Sequence, residues 1–242
     1  MSQMQNPVAV FAGTPVDTQM GADVLTAHGI VPLMYPVSHD PIEQTSFQVM
    51  DLEEKHKVLR GMLTDAMARG CESAFIYCNS LSGSVRFPEL AEELELKIVT
   101  PMDVYGDLAM RYHKLAIIAA NSQALAAQHI TMTRANPQIL PMCADLLPVV
   151  LDIEARYAPE EIVRRNALDT LMTYFERIGC EALLLGCTHF PHLKPLIEQV
   201  AAGRAKVVEP SDAVARQAER LLAERGLLNP AGGSSHVFIR ST

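Results

Sequence analysis

The chain has 242 residues, of which 49% are hydrophobic and 20% charged, and this composition is typical of a soluble globular protein with one or two domains. Its formal net charge is −8, with acidic and basic residues interspersed, so nucleic acid and anionic membrane surfaces are not expected partners. No apolar run approaches the roughly 20 residues that span a bilayer, which argues against a membrane-spanning helix.

The first residues and the cysteine count indicate a cytoplasmic protein. The opening "MSQMQNPVAVFAG" has neither the basic start nor the long apolar centre of a signal peptide. Five cysteines are an odd number in a chain without an export signal, so we expect free thiols in a reducing compartment.

Short apolar runs alternate along the chain with amphipathic helical patterns, which predicts parallel sheets joined by crossover helices. The runs lack alternating polar residues, so we expect strands that are covered on both faces. Apolar residues recur at helical spacing before Gly70 and before Gly179, and each glycine is predicted to end a helix. The predicted strands are "VAVFAG" (8–13), "SAFIYC" (73–78), "LAIIAA" (115–120) and "ALLLGC" (182–187).

The chain contains an internal repeat. "GCESAFIYCNS" (70–80) aligns without a gap with "GCEALLLGCTH" (179–189), and "KIVTPMDV" (97–104) aligns with "KVVEPSDA" (206–213) at the same offset of 109 residues. We therefore predict an α/β protein with two pseudo-symmetric domains, each a parallel sheet flanked by helices, and an active site in the cleft between them.

The repeat places a cysteine at the carboxyl end of a strand in each half, where ligands bind in open α/β sheets. Pseudo-two-fold symmetry brings Cys78 and Cys187 to opposite sides of one cleft. A thiol at a helix N-terminus is expected to have a pKa below its usual value. One thiolate can then remove a proton from a carbon while the opposite thiol returns one, which inverts that carbon. This arrangement predicts a racemase or epimerase.

The residues around the two cysteines fit this chemistry, and other readings are weaker. Asn79, Ser80, Ser82 and Thr188 are small polar donors, and the helix N-terminal amides beside them can hold a carboxylate. His189 can relay a proton to Cys187. "CTHFPH" (187–192) also has metal-like spacing, but zinc needs a further ligand that the sequence does not nominate. No nucleotide-binding glycine motif occurs, so no nucleotide cofactor is expected. The remaining cysteines, Cys71, Cys143 and Cys180, are predicted core residues.

With "YCNS" (77–80) and "LLLGCTHFP" (183–191), nearly the whole chain resembles the aspartate/glutamate racemase superfamily, the cofactor-independent amino-acid racemases. The resemblance implies that Cys78 and Cys187 are the acid/base pair and that His189 supports Cys187. It also implies that Asn79, Ser80 and Thr188 bind the substrate, an amino acid or related carboxylate. No cofactor, pyridoxal phosphate included, and no metal is implied, and a homodimer is possible. The implied domains are 1–99 plus 208–242, and 100–207.

The chain departs from the superfamily at three places. Glutamate racemases have Asp-Ser-Gly where this chain has Ala12, Gly13 and Thr14, and Asp17 is the alternative carboxylate at a different spacing. "TPVDT" (14–18) looks more like an aspartate racemase motif, which implies that Gly13, Thr14 and Thr18 line the substrate site. The Pro-Tyr-Gly loop is absent, and in "EQT" (43–45) Gln44 stands where aspartate racemases have an arginine that grips the side-chain carboxylate.

The leading hypothesis is therefore a cofactor-independent amino-acid racemase with a two-cysteine mechanism, for which glutamate and aspartate are the first candidate substrates. Two alternatives remain open. One is another reaction of the superfamily, of the hydantoin racemase or maleate isomerase type. The other is a non-catalytic homologue that binds an amino acid in the same cleft.

Overall fold

A computed structural model describes residues 6–203, 205–211, 213, 214, 216, 217 and 220. In this part of the chain eight strands form two parallel four-stranded sheets, which confirms the predicted fold class. The strands are β1 (Val8–Ala12), β2 (Pro32–Pro36), β3 (Ser73–Ile76), β4 (Lys97–Val99), β5 (Lys114–Ala119), β6 (Leu140–Asp145), β7 (Ala182–Leu185) and β8 (Lys206–Val208). All four predicted strands are present.

Helices cover both sheets and supply the crossovers that parallel strands require. None of the described helices is long and apolar enough to cross a lipid bilayer. A short 3-10 helix (Phe190–Leu193) precedes the last of the described α-helices. The α-helices are α1 (Pro15–Ala27), α2 (Pro41–Val49), α3 (Leu52–Ala68), α4 (Asn79–Ser84), α5 (Phe87–Glu93), α6 (Met102–Ala109), α7 (Ser122–Ala135), α8 (Leu147–Glu154), α9 (Pro159–Arg165), α10 (Leu168–Arg177) and α11 (Lys194–Ala201).

The two sheets have the same topology, as the internal repeat predicts. Their strand orders are β2-β1-β3-β4 and β6-β5-β7-β8. Gly70 and Gly179 follow α3 and α10 with φ angles of +88° and +76°, a region that glycine enters without steric cost. Each glycine therefore lets the chain turn from a helix into the equivalent strand, β3 or β7, that carries a candidate cysteine at its end.

Strand burial explains why the apolar runs lack alternating polar residues. Every residue of β1, β3 and β7 is buried, because helices pack on both faces of the sheets. Val214 packs with Val8 and Leu25 of the first half, and the Ser211 hydroxyl lies 3.0 Å from that of Tyr77. These contacts support the proposal that the chain returns to the first half after β8. The domain boundaries stay a prediction, and residues 221–242 lie outside the described part.

The two halves meet closely where α4 packs on α7. A Cβ atom added at Gly83 would overlap the Cβ of Ala127 on α7. We therefore expect Gly83→Ala to destabilise the protein by about 1–3 kcal/mol, since overpacking forces α4 away from its neighbour. Gly61→Ala is the matched control, because a Cβ there meets no atom within 4 Å, and it should be neutral or stabilising by up to about 1 kcal/mol. Urea unfolding measures both; equal effects would contradict the close packing.

Candidate active site

The two candidate cysteines lie in one cleft between the halves. Cys78 and Cys187 lie two residues after the ends of β3 and β7, so equivalent turns after the two strands bring them to the same cleft. Both are almost fully buried. The described residues that line the cleft are Asp17, Pro41, Gln44, Thr45, Cys78, Asn79, Ser80, Ala120, Asn121, Ala124, Leu147, Val150, Gly186, Cys187, Thr188 and His189.

Neutral hydrogen-bond donors surround the sulfur of Cys78. The Gln44 side-chain amide donates to it at 3.1 Å, and the Ser80 hydroxyl lies 3.4 Å away. Ser80 also accepts from the side-chain amides of Gln44 and Gln48, at 3.2 and 2.7 Å, so its own proton is directed to Cys78. These contacts stabilise a thiolate at Cys78 when it forms.

Burial nevertheless raises the pKa of Cys78 to about 12, and the negative charge of Asp17 adds to the increase. The hydrogen bonds from Ser80 and from the backbone amide of Leu81 act in the opposite direction and are outweighed. The expectation that a helix N-terminus lowers this pKa is therefore wrong. The reason is that α4 has only six residues, whose dipole does not offset complete removal of the sulfur from water. Cys78 is a thiol at neutral pH.

Cys187 has an ionisable neighbour instead. The Nδ1 atom of His189 lies 3.8 Å from its sulfur, and Nε2 lies 2.9 Å from a carboxylate oxygen of Glu154. Burial disfavours the charged imidazole, but the hydrogen bonds to Cys187 and Glu154, together with the negative charges of Cys187 and Asp17, raise the pKa of His189 to about 10. His189 is therefore a cation at neutral pH, and it lies beside the sulfur of Cys187.

Two polar contacts join the halves beside the cysteines. The Thr14 hydroxyl lies 2.8 Å from Glu154 and 3.0 Å from Asp17, and Asn121 donates to Gln48 at 2.7 Å. The Asp17 carboxylate also accepts from the backbone amides at the start of α1, 2.6 Å from that of Thr14. Burial raises the pKa of Asp17 even though the charge of His189 and these hydrogen bonds lower it. The closed cleft thus has acidic groups on both sides.

Comparison with known proteins gives one consistent result, although no protein-family model matches the chain. Glutamate racemase from Pseudomonas aeruginosa is 27% identical over 168 residues, 67% of this chain and 62% of that relative. Glutamate racemase from Thermus thermophilus is 27% identical over 177 residues, 69% of this chain and 61% of that relative. The matches thus span less than two thirds of either relative's length.

Solved structures agree on the fold. Glutamate racemase from Francisella tularensis, in complex with D-glutamate, has a TM-score of 0.73 at 18% identity, covering 94% of this chain and 84% of that one. An aspartate racemase homologue from Pyrococcus horikoshii has a TM-score of 0.61 at 14% identity, covering 90% and 99%. The chain is thus similar in sequence to glutamate racemases and shares its fold with solved members of the aspartate/glutamate racemase superfamily.

The superfamily resemblance nominated substrate-binding residues, and the structure brings only some of them to the cleft. Asn79, Ser80 and Thr188 line it, and Asn79 accepts a hydrogen bond from the buried hydroxyl of Tyr105. The NH₂ of the Asn79 side chain and the Thr188 hydroxyl have no hydrogen-bond partner among the described residues, so both are available to a ligand.

The segment after β1 lies behind this lining. A Cβ atom at Gly13 would overlap the side chain of Gln44, so a glycine there lets Gln44 reach Cys78. The Thr18 hydroxyl donates to the carbonyl oxygen of Thr14 at 2.7 Å within α1 and does not line the cleft. Gly13, Thr14 and Thr18 therefore shape the site from behind, and their role in substrate binding stays a prediction.

Sequence patterns did not identify three polar residues of the site. Glu154 ends the apolar helix α8, while Gln48 and Asn121 belong to no motif, and all three become relevant only through packing between distant segments. His192, the other histidine of the "CTHFPH" segment, is exposed. In the part that the structure describes, no group of three or more His, Cys, Asp or Glu side chains is arranged for a metal ion.

The other cysteines divide into two groups. Cys71 and Cys180 are buried, as predicted, two residues before β3 and β7, so they lie at the amino ends of these strands, opposite the ends that face the cleft. Cys143 is exposed, so the prediction that it is a core residue is wrong. The physical reason is that β6 is an edge strand whose side chains are covered only in part.

Proposed function

We propose that the protein racemises an amino acid without pyridoxal phosphate, using Cys78 and Cys187 as the two proton-transfer groups. The observation that carries the proposal is that equivalent strands of two equivalent sheets are each followed, two residues on, by a cysteine, and that the two cysteines share one buried cleft. The glutamate racemases among its relatives support the same reaction class.

The different surroundings of the two cysteines support their assignment as acid and base. Cys78 is the thiol, because burial raises its pKa to about 12. We assign Cys187 as the base, because the imidazolium of His189 lies beside its sulfur and is itself held by Glu154. One acid and one base are thus present in the cleft before the substrate binds, as a two-base mechanism requires.

In the proposed reaction the Cys187 thiolate removes the α-proton, and its sulfur becomes a thiol. The Cys78 thiol then delivers its own proton to the opposite face of the carbon. The electron pair freed at the carbon is delocalised into the substrate carboxylate, to which the Asn79 amide group and the Thr188 hydroxyl can donate. After one turnover Cys78 is the thiolate, which Gln44 and Ser80 stabilise by hydrogen bonds. The other enantiomer reacts with this form.

Several finer predictions accompany the proposal. The ligand is a small amino acid or related carboxylate, and we propose a cytoplasmic protein, because Cys78 and Cys187 must remain reduced to act. A homodimer also stays a prediction. The relatives make glutamate and aspartate the first amino acids to assay.

The test is circular dichroism of single enantiomers of amino acids, incubated with purified protein and no added pyridoxal phosphate. The proposal expects the signal of at least one amino acid to decay to zero from either the L or the D side. Constant signals for all amino acids, at protein concentrations comparable to the substrate, would contradict the proposed function and favour the binding homologue or another reaction of the superfamily.

A further inference from the structure

The charges around the cleft indicate whether the side chain of the substrate is charged or neutral. Of the described lining residues none is a lysine or arginine. The ionisable groups there are Asp17, Cys78, Cys187 and His189, and Glu154 lies directly behind the imidazole. The single cation, His189, is already paired with Glu154 and Cys187.

A buried lysine near Gln44 and Gln48 in the sequence does not supply the cation that the cleft lacks. Lys55, on α3, donates its ammonium group to the backbone carbonyl oxygen of Gln48 at 3.0 Å, and it does not line the cleft. Burial lowers its pKa. The ammonium group of Lys55 is thus held at the C-terminal end of α2.

The side-chain amides on the α2 side of the cleft already donate hydrogen bonds within the protein. Gln44 donates to Cys78 and Ser80, and Gln48 donates to Ser80. Asn121 donates across the cleft to Gln48. A substrate carboxylate placed against α2 could gain these N–H groups only by removing them from the Cys78 sulfur or from the contact between the halves.

The opposite wall is apolar. Ala124 of α7 and Leu147 and Val150 of α8 face the cleft there. An uncharged side chain can pack against these groups without losing strong hydration. A carboxylate would lose its hydration and gain no cation to pair with, next to the carboxylates of Asp17 and Glu154.

From these contacts we infer that the cleft accepts amino acids with uncharged side chains and discriminates against aspartate and glutamate. The inference rests on the proposed racemase function, since it assumes that the α-carbon lies between the two cysteines. Gln44 is the specificity-determining residue in this account, because its neutral amide occupies the place on α2 where a cation would have to stand.

The experiment compares isosteric pairs that differ only in charge. Loss of the α-proton signal in D₂O is followed by NMR for asparagine against aspartate and for glutamine against glutamate, with alanine and serine as small neutral substrates. We expect the neutral member of each pair to exchange at least 10-fold faster, and the best substrate to be neutral. Faster exchange of aspartate or glutamate would overturn the inference and leave the racemase proposal intact.

Two additions separate the side-chain inference from the reaction. Calorimetric titration of the same amino acids into the Cys78→Ala/Cys187→Ala variant measures their binding affinities in a protein that lacks both proton-transfer groups. If the variant binds the neutral members more tightly but the unaltered protein exchanges no α-proton, the racemase proposal is refuted and the side-chain inference is supported. Equal or tighter binding of the acids, or no binding of any amino acid, would overturn the inference.

A variant tests the assignment of Gln44. Gln44→Arg should shift the ratio of acidic to neutral exchange at least 10-fold toward the acid, whatever its effect on the overall rate. Gln19→Arg is the matched control, because Gln19 is exposed on α1 and outside the cleft lining, and it should leave the ratio unchanged. An unchanged ratio in Gln44→Arg would overturn the role of Gln44.

Discussion

Replacing Cys78 or Cys187 by serine is expected to lower the rate of racemisation by at least about 10³-fold at pH 8. A positioned acid or base contributes about 10²–10⁴-fold, and each cysteine serves as one or the other in every turnover. A serine hydroxyl is a far weaker acid than a thiol, so it supplies neither the thiolate nor the proton. Circular dichroism of a single enantiomer measures the loss in both variants.

Cys143→Ser is the control for this pair, because Cys143 is exposed on β6, outside the cleft lining, and its replacement should leave the rate within a factor of two. Folding of each cleft variant is checked by alkylation followed by mass spectrometry. Substrate should still protect the remaining cleft cysteine from the alkylating reagent. Full activity in either cleft variant would disprove the two-base mechanism.

The second large effect is expected at Glu154, which contacts His189 and not the substrate. Glu154→Gln should lower the rate by about 10²-fold at pH 8, the lower end of the range for a positioned proton-transfer group. The amide can still accept hydrogen bonds from His189 and Thr14, so the contact between the halves is retained. A lower rate in Glu154→Gln is therefore due to the missing negative charge and not to a lost hydrogen bond.

The pH profile distinguishes this role from a structural one. The pKa of His189 is raised to about 10, so activity that needs the imidazolium is present below that pH and is lost as the pH rises through it. Removing the carboxylate of Glu154 removes one cause of the increase, so the alkaline loss should begin at lower pH in Glu154→Gln. Glu160→Gln, an exposed change on α9, should keep the original profile. An unshifted profile in Glu154→Gln would contradict the assignment.

The sequence was sufficient for the fold because its signals are local. Fully buried strands need continuous apolar runs, and Gly70 and Gly179 mark the same helix-to-strand turn in both halves. The repeat then placed Cys78 and Cys187 at equivalent strand ends, and the structure finds both in one cleft.

Other features depend on packing that no local pattern records. In the sequence Glu154 is only a polar residue at the end of an apolar helix. Its contact with His189 arises because α8 packs beside the segment that carries this histidine. The pKa of Cys78 depends on how deeply the sulfur is buried, which outweighs the short helix that follows it. Gln44 was recognised as a departure from an arginine, but its hydrogen bond to Cys78 requires the three-dimensional contact with Gly13.

The most direct test of the two-base mechanism is the position of deuterium early in a reaction run in D₂O. A single enantiomer of the best substrate is incubated until about a tenth has reacted, the enantiomers are separated, and the α-deuterium of each is measured by mass spectrometry. Two cysteines on opposite faces predict a product that is almost fully deuterated and a remaining substrate that keeps its α-proton. Deuterium shared equally between the enantiomers, or a product that retains the original proton, would show that one group acts on both faces and would contradict the account.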